Sequence, residues 1–228
     1  MQMTKKGPVY QLMFMPRFFP VNCYVIDEGA ELTLVDAALR TNAKQILLSI
    51  KIMKKPLTQI IITHAHLDHI GALDAVKREW PDAVVSMSTR DARLLAGDTS
   101  LLPGEPESPI KGGVPKNVKT QPDRLLVEGD HVGSLRVVHT PGHTPGSISL
   151  LDSRNQFLIA GDAFQTRGGI AVSGTFKALF PFPAFATWNK QIALESARKI
   201  RQLDPQLLAV GHGRMIEKPL DAIDLDIS

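Results

Sequence analysis

His64-Ala65-His66-Leu67-Asp68-His69 places four metal-capable side chains within six positions. The apolar run Ile60-Ile61-Ile62 leads straight into it. Imidazole and carboxylate are the donors that zinc and similar borderline ions prefer. Three imidazoles and a carboxylate this close together are costly to bury unpaired. A metal ion, or a pair of them, makes the crowding favourable. Beyond the cluster, Ile70, Leu73, Val76 and Trp80 follow at helical spacing. The whole stretch therefore reads as strand, ligand cluster, helix.

The same pattern recurs along the chain. Leu158-Ile159-Ala160-Gly161 stops at Asp162, and Leu207-Leu208-Ala209-Val210-Gly211 stops at His212. Leu135 to Thr140 is followed by Pro141-Gly142-His143, and Leu32 to Val35 stops at Asp36. Strand ends that converge on one sheet edge hold a constellation rigidly. The glycines before Asp162, His143 and His212 let the backbone turn sharply or approach closely.

The remaining elements follow from period and turn residues. Cys23 to Asp27 and Leu32 to Val35 flank Asp27-Glu28-Gly29-Ala30, a hairpin. Ile46, Leu47, Ile50 and Met53 give an amphipathic helix over 41–53, ended by Lys54-Lys55-Pro56. Strands are read at Gln59 to Thr63, Ala83 to Met87, Arg124 to Val127, Leu135 to Thr140, Ser147 to Leu151, Gln156 to Ala160 and Leu207 to Val210. Helices are read at Thr89 to Ala96 and Trp188 to Leu203. Residues 97–124, punctuated by Gly and Pro, form a long irregular loop, either functional or a tolerated insertion. Residues 163–187 read as a second loop, rich in Gly and Phe. The acidic tail after Gly213 carries no assigned role. Strands alternating with helices in both halves give an α/β chain with covered sheets.

Bulk properties exclude several classes. With 228 residues, 43% hydrophobic and 21% charged, the chain reads as one globular domain over 1–228. A formal net charge of +3 on scattered Lys and Arg argues against a nucleic-acid partner. The single cysteine, Cys23, excludes an intrachain disulfide and reads as a buried small hydrophobe rather than a nucleophile. No secretory signal and no membrane-length apolar run is seen, so the expected location is the cytoplasm, with no membrane partner.

His64-x-His66-x-Asp68-His69, then Thr140-Pro141-Gly142-His143-Thr144-Pro145-Gly146-Ser147, then Gly161-Asp162, then Gly211-His212-Gly213 resemble the ordered motifs of the metallo-β-lactamase superfamily. The resemblance spans about residues 20–213. It implies a four-layer αββα sandwich: two mixed β-sheets packed face to face, with helices on both outer faces. It implies two metal positions, His64, His66 and His143 at the first and Asp68, His69 and His212 at the second, with Asp162 bridging. Two ions roughly 3.5–4 Å apart share a hydroxide and clamp an oxygen that gains charge. Asp68 is then the residue expected to manage the proton. Asp36 is either a residue orienting a ligand imidazole or a helix N-cap or turn residue before Thr41. His131 reads as surface, and His139 as structural.

The implied activity is hydrolysis of a small-molecule ester, lactone or thioester by a dinuclear zinc site, with iron or manganese as other occupants. Two alternatives are a mononuclear iron sulfur dioxygenase acting on persulfides and a non-catalytic metal-stabilised binding protein. Asp162 stands where true metallo-β-lactamases usually carry Cys. Tyr10 and Tyr24 are the only tyrosines, which argues against the signalling-lactone hydrolases. Ala163-Phe164-Gln165 and the acidic tail differ from the glyoxalase II pattern. Phe176, Phe180, Phe182, Phe185 and Trp188 read as the lining of a pocket for an apolar substrate, as core, or as a homodimer contact. Arg167 and Lys177 read as carboxylate-binding or simply solvated.

Overall fold

The computed structural model describes residues 1–114 and 117–227. Pro115 and Lys116, inside the loop expected over 97–124, lie outside the described residues, as does Ser228. Seven strands form the first sheet in chain order. They are β1 (Gln2–Lys6), β2 (Val9–Phe14), β3 (Val21–Asp27), β4 (Leu32–Val35), β5 (Leu57–Ile62), β6 (Val84–Ser88) and β7 (Arg124–Leu126). Pairing is antiparallel from β1 to β4 and parallel from β4 to β7. The parallel strands are joined through α1 (Ala43–Ile52), α2 (Leu67–Ile70), α3 (Leu73–Glu79) and α4 (Thr89–Leu95), as parallel pairing requires a crossover.

The second half supplies β8 (His131–Val132), β9 (Leu135–His139), β10 (Ile148–Asp152), β11 (Phe157–Ile159), the ribbon β12 (Phe164–Gln165) and β13 (Ala171–Val172), β14 (Leu207–Ala209) and β15 (Ile216–Glu217). Six of them make a sheet of order β15-β14-β11-β10-β9-β8, in which only β11 and β14 run parallel. Helices α5 (Phe182–Ala186), α6 (Lys190–Gln202) and α7 (Leu220–Ile227) complete the chain.

Alternate residues of each strand face different layers, which is why the apolar runs are unbroken. Ile60 and Ile62 pack with Ile46, Ile50, Leu73 and Val76 of α1 and α3. Ile61 between them meets Val35, Val137, Leu150 and Ile159 in the space between the sheets. On the far side, Leu151, Leu158 and Leu208 meet Ala193, Ala197 and Ile200 of α6 and Ile223 of α7. The result is helix, sheet, sheet, helix. Cys23 is buried on the helix side of the first sheet, and burial pushes its thiol pKa well up.

Four local readings change. The N-terminal β1–β2 hairpin was not legible, because Gln11 interrupts the apolar run of β2. Gln11 is buried all the same, its amide donating to the Gly213 carbonyl at 2.8 Å. The helical stripe 70–80 is two helices, broken where Gly71 lies against the Ala38–Arg40 backbone and donates to the Ala38 carbonyl at 2.8 Å. Residues 163–187 hold the β12–β13 ribbon and α5 rather than loop alone. The tail folds as β15 and α7, where Asp224 pairs with Arg201 at 2.7 Å and Asp226 accepts from the Val172 backbone N–H at 2.6 Å.

The two halves are braced at one carboxylate. Asp91, fully buried in α4, accepts from the Ala65 and Gly146 backbone N–H groups and the Thr144 hydroxyl, each at 2.8 Å. It thereby ties the loop after β5 to the loop after β9. Burial pushes its pKa up, against those three donors. Removing the acceptor leaves the two buried N–H groups of Ala65 and Gly146 unsatisfied and leaves the Thr144 hydroxyl only Ser147, at 2.6 Å. Asp91→Ala should cost about 3 kcal/mol of unfolding free energy, read as a shifted urea midpoint for the metal-free protein. A loss within experimental error would show that the brace carries no load.

Candidate metal centre

Every candidate ligand follows the end of a strand, in a turn or in the short helix after it. His64 follows β5, His66 caps the start of α2, and Asp68 and His69 lie in its single turn. His143 lies in the turn after β9, Asp162 in the 3-10 turn after β11, and His212 in the turn after β14. The structure brings all seven together. The ligand atoms of His64, His66 and His143 lie within 4.8 Å of one another, as do those of Asp68, His69 and His212. The ligand atoms of His64, His69 and Asp162 form a third such group.

Asp162 stands between the first two groups. Its Oδ2 is 3.1 Å from His212 Nε2, 3.3 Å from His143 Nε2 and 3.9 Å from His64 Nε2, and its Oδ1 is 3.3 Å from His69 Nε2. Asp68 Oδ2 is 3.3 Å from His212 Nε2. Gly211 is required here, since a side chain at that position would overlap the Asp162 carboxylate.

Each imidazole is held by its remote nitrogen. His69 Nδ1 donates to Asp36 Oδ2 at 2.8 Å, and His212 Nδ1 donates to the Pro20 carbonyl at 2.7 Å. His66 donates through Nε2 to the Lys111 carbonyl at 3.0 Å. The Thr63 hydroxyl gives its proton to Asp36 at 2.8 Å, so its oxygen accepts from His64 Nδ1 at 3.1 Å. The Ser173 and Thr187 hydroxyls give theirs to the Asp162 and Pro183 carbonyls, so both oxygens accept from His143 Nδ1 at 3.2 Å. Four rings therefore turn Nε2 toward the cluster, and His66 turns Nδ1. Partners of this kind fix tautomer and ring angle at metal sites.

The site fits a metal on its own chemistry. His64 Nε2 is buried without a hydrogen-bond partner, which is rare for a polar atom that no ligand completes, and His69 Nε2 and Asp162 Oδ1 have only the poorly aligned contact with each other at 3.3 Å. Burial drives the His143 pKa down to about 3 and that of His64 well below the ordinary range. Burial also opposes charge on His212 and His69, yet the carboxylates overcome it: Asp162 and Asp68 push His212 up to about 10, and Asp162 and Asp36 raise His69. Without an ion, protons on these two rings offset the buried carboxylates. A dication at the same place offsets them instead.

Asp36 resolves as an orienting residue. It is buried, its Oδ1 accepts from the Thr63 backbone N–H at 2.8 Å, and it caps no helix, since α1 begins after Asn42. His131 is exposed, and His139 lies outside the cluster with its ring half-buried. The aromatic loop divides. Phe180 and Trp188 are buried, Phe182 lines the cleft over the ligands, and Phe176 and Phe185 contact each other on the surface. Lys177 is paired with Asp226 at 3.3 Å, and Arg167 donates to the Arg17 carbonyl at 2.6 Å.

Sequence reasoning missed Thr63, Ser173, Thr187 and the backbone acceptors of Pro20 and Lys111. It also missed Asn22 and Tyr24, whose side chains donate to the Val210 carbonyl at 2.7 and 2.6 Å and so hold the turn that carries His212. Only Thr63, adjacent to His64, carried a signal. The cleft measures about 250 Å³, walled by Phe19, Leu39, Leu67, Phe182, Pro183 and Ala186, and floored by His66, Asp68, His143, Asp162 and His212. No Lys or Arg among the described residues lines it.

Comparison with known proteins agrees with this geometry. A sequence model described as the metallo-beta-lactamase superfamily matches residues 16–212. The chain is 54% identical over 219 residues to the uncharacterized protein YobT of Bacillus subtilis, covering 96% of this chain and 94% of that one. It is 33% identical over 172 residues to the probable metallo-hydrolase YflN of the same organism, covering 69% of this chain and 64% of that one. Among solved structures, BLEG-1 B3 metallo-beta-lactamase superposes with a TM-score of 0.69 at 26% identity, over 93% of this chain and 95% of that one. By motif order, donor set and layered fold, the chain belongs to the metallo-β-lactamase superfamily.

Proposed function

We propose that this metallo-hydrolase holds two zinc ions and cleaves an ester, lactone or thioester whose acyl group is apolar and uncharged. The observation that carries the reading is a cleft with five of the seven donor groups at its floor, His64 and His69 buried behind them, and apolar side chains on its walls. His64, His66 and His143 would hold one ion, Asp68, His69 and His212 the other, and Asp162 both. Bound there, such ions supply a Lewis acid for the carbonyl oxygen and bring the pKa of water near neutrality.

The remaining work falls to the chain. Phe19 and Phe182, with ring centroids 5.0 Å apart, stand at the apolar wall and exclude water from one side of the acyl group. Leu39 and Leu67 supply further apolar wall. Asp68 is the most exposed of the donors, its side chain 21% accessible. Its oxygen turned away from His212 is free to hold the proton lost by the attacking water and pass it to the leaving group. Although burial opposes it, the His212 and His69 imidazoles keep its pKa below the usual carboxylate range, so it is the base and not the acid at the start. With no cation among the described lining residues, nothing there recognises the free carboxylates of a peptidic thiol.

Three outcomes test this reading. Asp162→Ala should drop metal content from about two ions per chain to below one and abolish turnover, measured by elemental analysis beside an ester, lactone and thioester panel. A wild-type chain carrying a single iron would point to the dioxygenase class instead. Phe182→Ala should lower kcat/KM about tenfold for a hexanoyl ester while leaving the acetyl ester within about twofold. Equal losses on both would remove Phe182 from acyl recognition. Because His212, with its pKa raised to about 10, carries a proton at neutral pH, an ion must displace that proton. Apparent metal affinity should therefore rise with pH, by about tenfold per unit for each proton released, as titration calorimetry in buffers of different ionisation enthalpy will read.

A further inference from the structure

The turn Lys111-Gly112-Gly113 lies far in sequence from every motif, yet it touches the first of them. The Lys111 carbonyl accepts from His66 Nε2 at 3.0 Å. Two residues on, the Gly113 carbonyl accepts from the Leu67 backbone N–H at 3.0 Å. The start of α2 is thus gripped at successive residues by one turn. Gly112 between them has φ +85°, in the region that favours glycine, and a side chain there would overlap the His66 ring. The turn is not loosely hung. Trp188 Nε1 donates to the Ser108 carbonyl at 2.8 Å on one side, and Asp74 accepts from the Thr120 backbone N–H at 2.8 Å on the other.

His66 differs from the other four imidazoles in which nitrogen faces the cluster. Its Nδ1 lies 2.9 Å from His143 Nε2, a separation at which two bare nitrogens repel unless a cation sits against both. For that nitrogen to be a bare donor, the ring proton must sit on Nε2, and the Lys111 carbonyl is its partner there. A ring released from this carbonyl is free to carry the proton on Nδ1 instead, where it would oppose an ion.

We propose that the turn 111–113 is a positioning device that fixes the tautomer and angle of His66 for metal binding, and that Gly112 is the residue that permits it. The inference rests on the metal-binding reading above, but it assigns a specific task to a segment outside the family motifs. It also gives the turn 111–113 a function at the metal centre.

The test compares two glycines of the same segment. Gly104 has φ +88°, nearly that of Gly112, but a side chain there meets nothing within 4 Å. Zinc affinity is measured by competition with a chromophoric chelator for wild type, Gly112→Ala and Gly104→Ala, with thermal melts of the metal-free proteins as a folding control. Gly112→Ala should lose about tenfold or more in affinity at one of the ions, while Gly104→Ala stays within about twofold of wild type. Equal losses in both variants would trace the effect to loop strain and overturn the proposal, as would wild-type affinity in Gly112→Ala. Nitrogen-15 NMR of the metal-free wild type gives an independent readout needing no variant. The His66 ring should carry its proton on Nε2, and a proton on Nδ1 would sink the proposal. A wild type that binds no zinc but shows the Nε2 proton would fail the functional reading and leave the positioning contact standing.

Discussion

The centre depends on one recurring constraint: every ligand imidazole is fixed by the nitrogen that does not face the cluster. Asp36, Thr63, Ser173 and Thr187 do this with side chains, and Pro20 and Lys111 do it with carbonyls. A free imidazole has two tautomers and a rotating ring. With its remote nitrogen occupied it has one tautomer and one angle, so the entropy cost of assembling the site is met during folding rather than on metal binding. The bare nitrogens then converge because they have no other choice.

Asp36 shows how tightly the arrangement is coupled. One carboxylate receives His69, the Thr63 hydroxyl and the Thr63 backbone N–H. Through Thr63 it also governs His64. It adopts φ 62°, a left-handed conformation uncommon for a residue other than glycine. Such strain persists where surrounding bonds over-determine it, and these three bonds do so. Asp91 performs the corresponding task for the backbone, joining the two ligand-bearing loops, while Gln11, Asn22 and Tyr24 secure the turn of His212.

Electrostatics gives these contacts their purpose. Buried carboxylates and buried imidazoles in one cleft cannot all keep their ordinary protonation. Asp162 and Asp68 stay ionised by drawing protons onto His212 and His69, while burial strips the charge from His143 and His64. The fold thus holds ionised carboxylates beside neutral His64 and His143, with protons on His69 and His212 that a divalent ion displaces. The apolar walls above lower the local dielectric and strengthen that field.

The sequence alone determined an α/β fold with covered sheets, the strands β3 to β7, β9 to β11 and β14, and the seven groups that meet near the strand ends. These were legible because their causes are local. Alternating burial makes unbroken apolar runs, and ligand types clustered at the ends of such runs stand out against a soluble surface. The tertiary structure alone decided what holds those groups in place. The carbonyls of Pro20 and Lys111 belong to residues whose side chains are irrelevant to the contact, so no residue type announces them. Ser173 and Thr187 meet His143 across 30 and 44 positions of chain, and a hydroxyl is too common to be noticed at that distance. Nothing in the sequence marks Gln11 as buried, because its partner, the Gly213 carbonyl, lies 202 positions away. Periodicity reports which face of an element is buried. It cannot report which distant backbone atom waits there, and at this centre such atoms set the direction of His66 and His212.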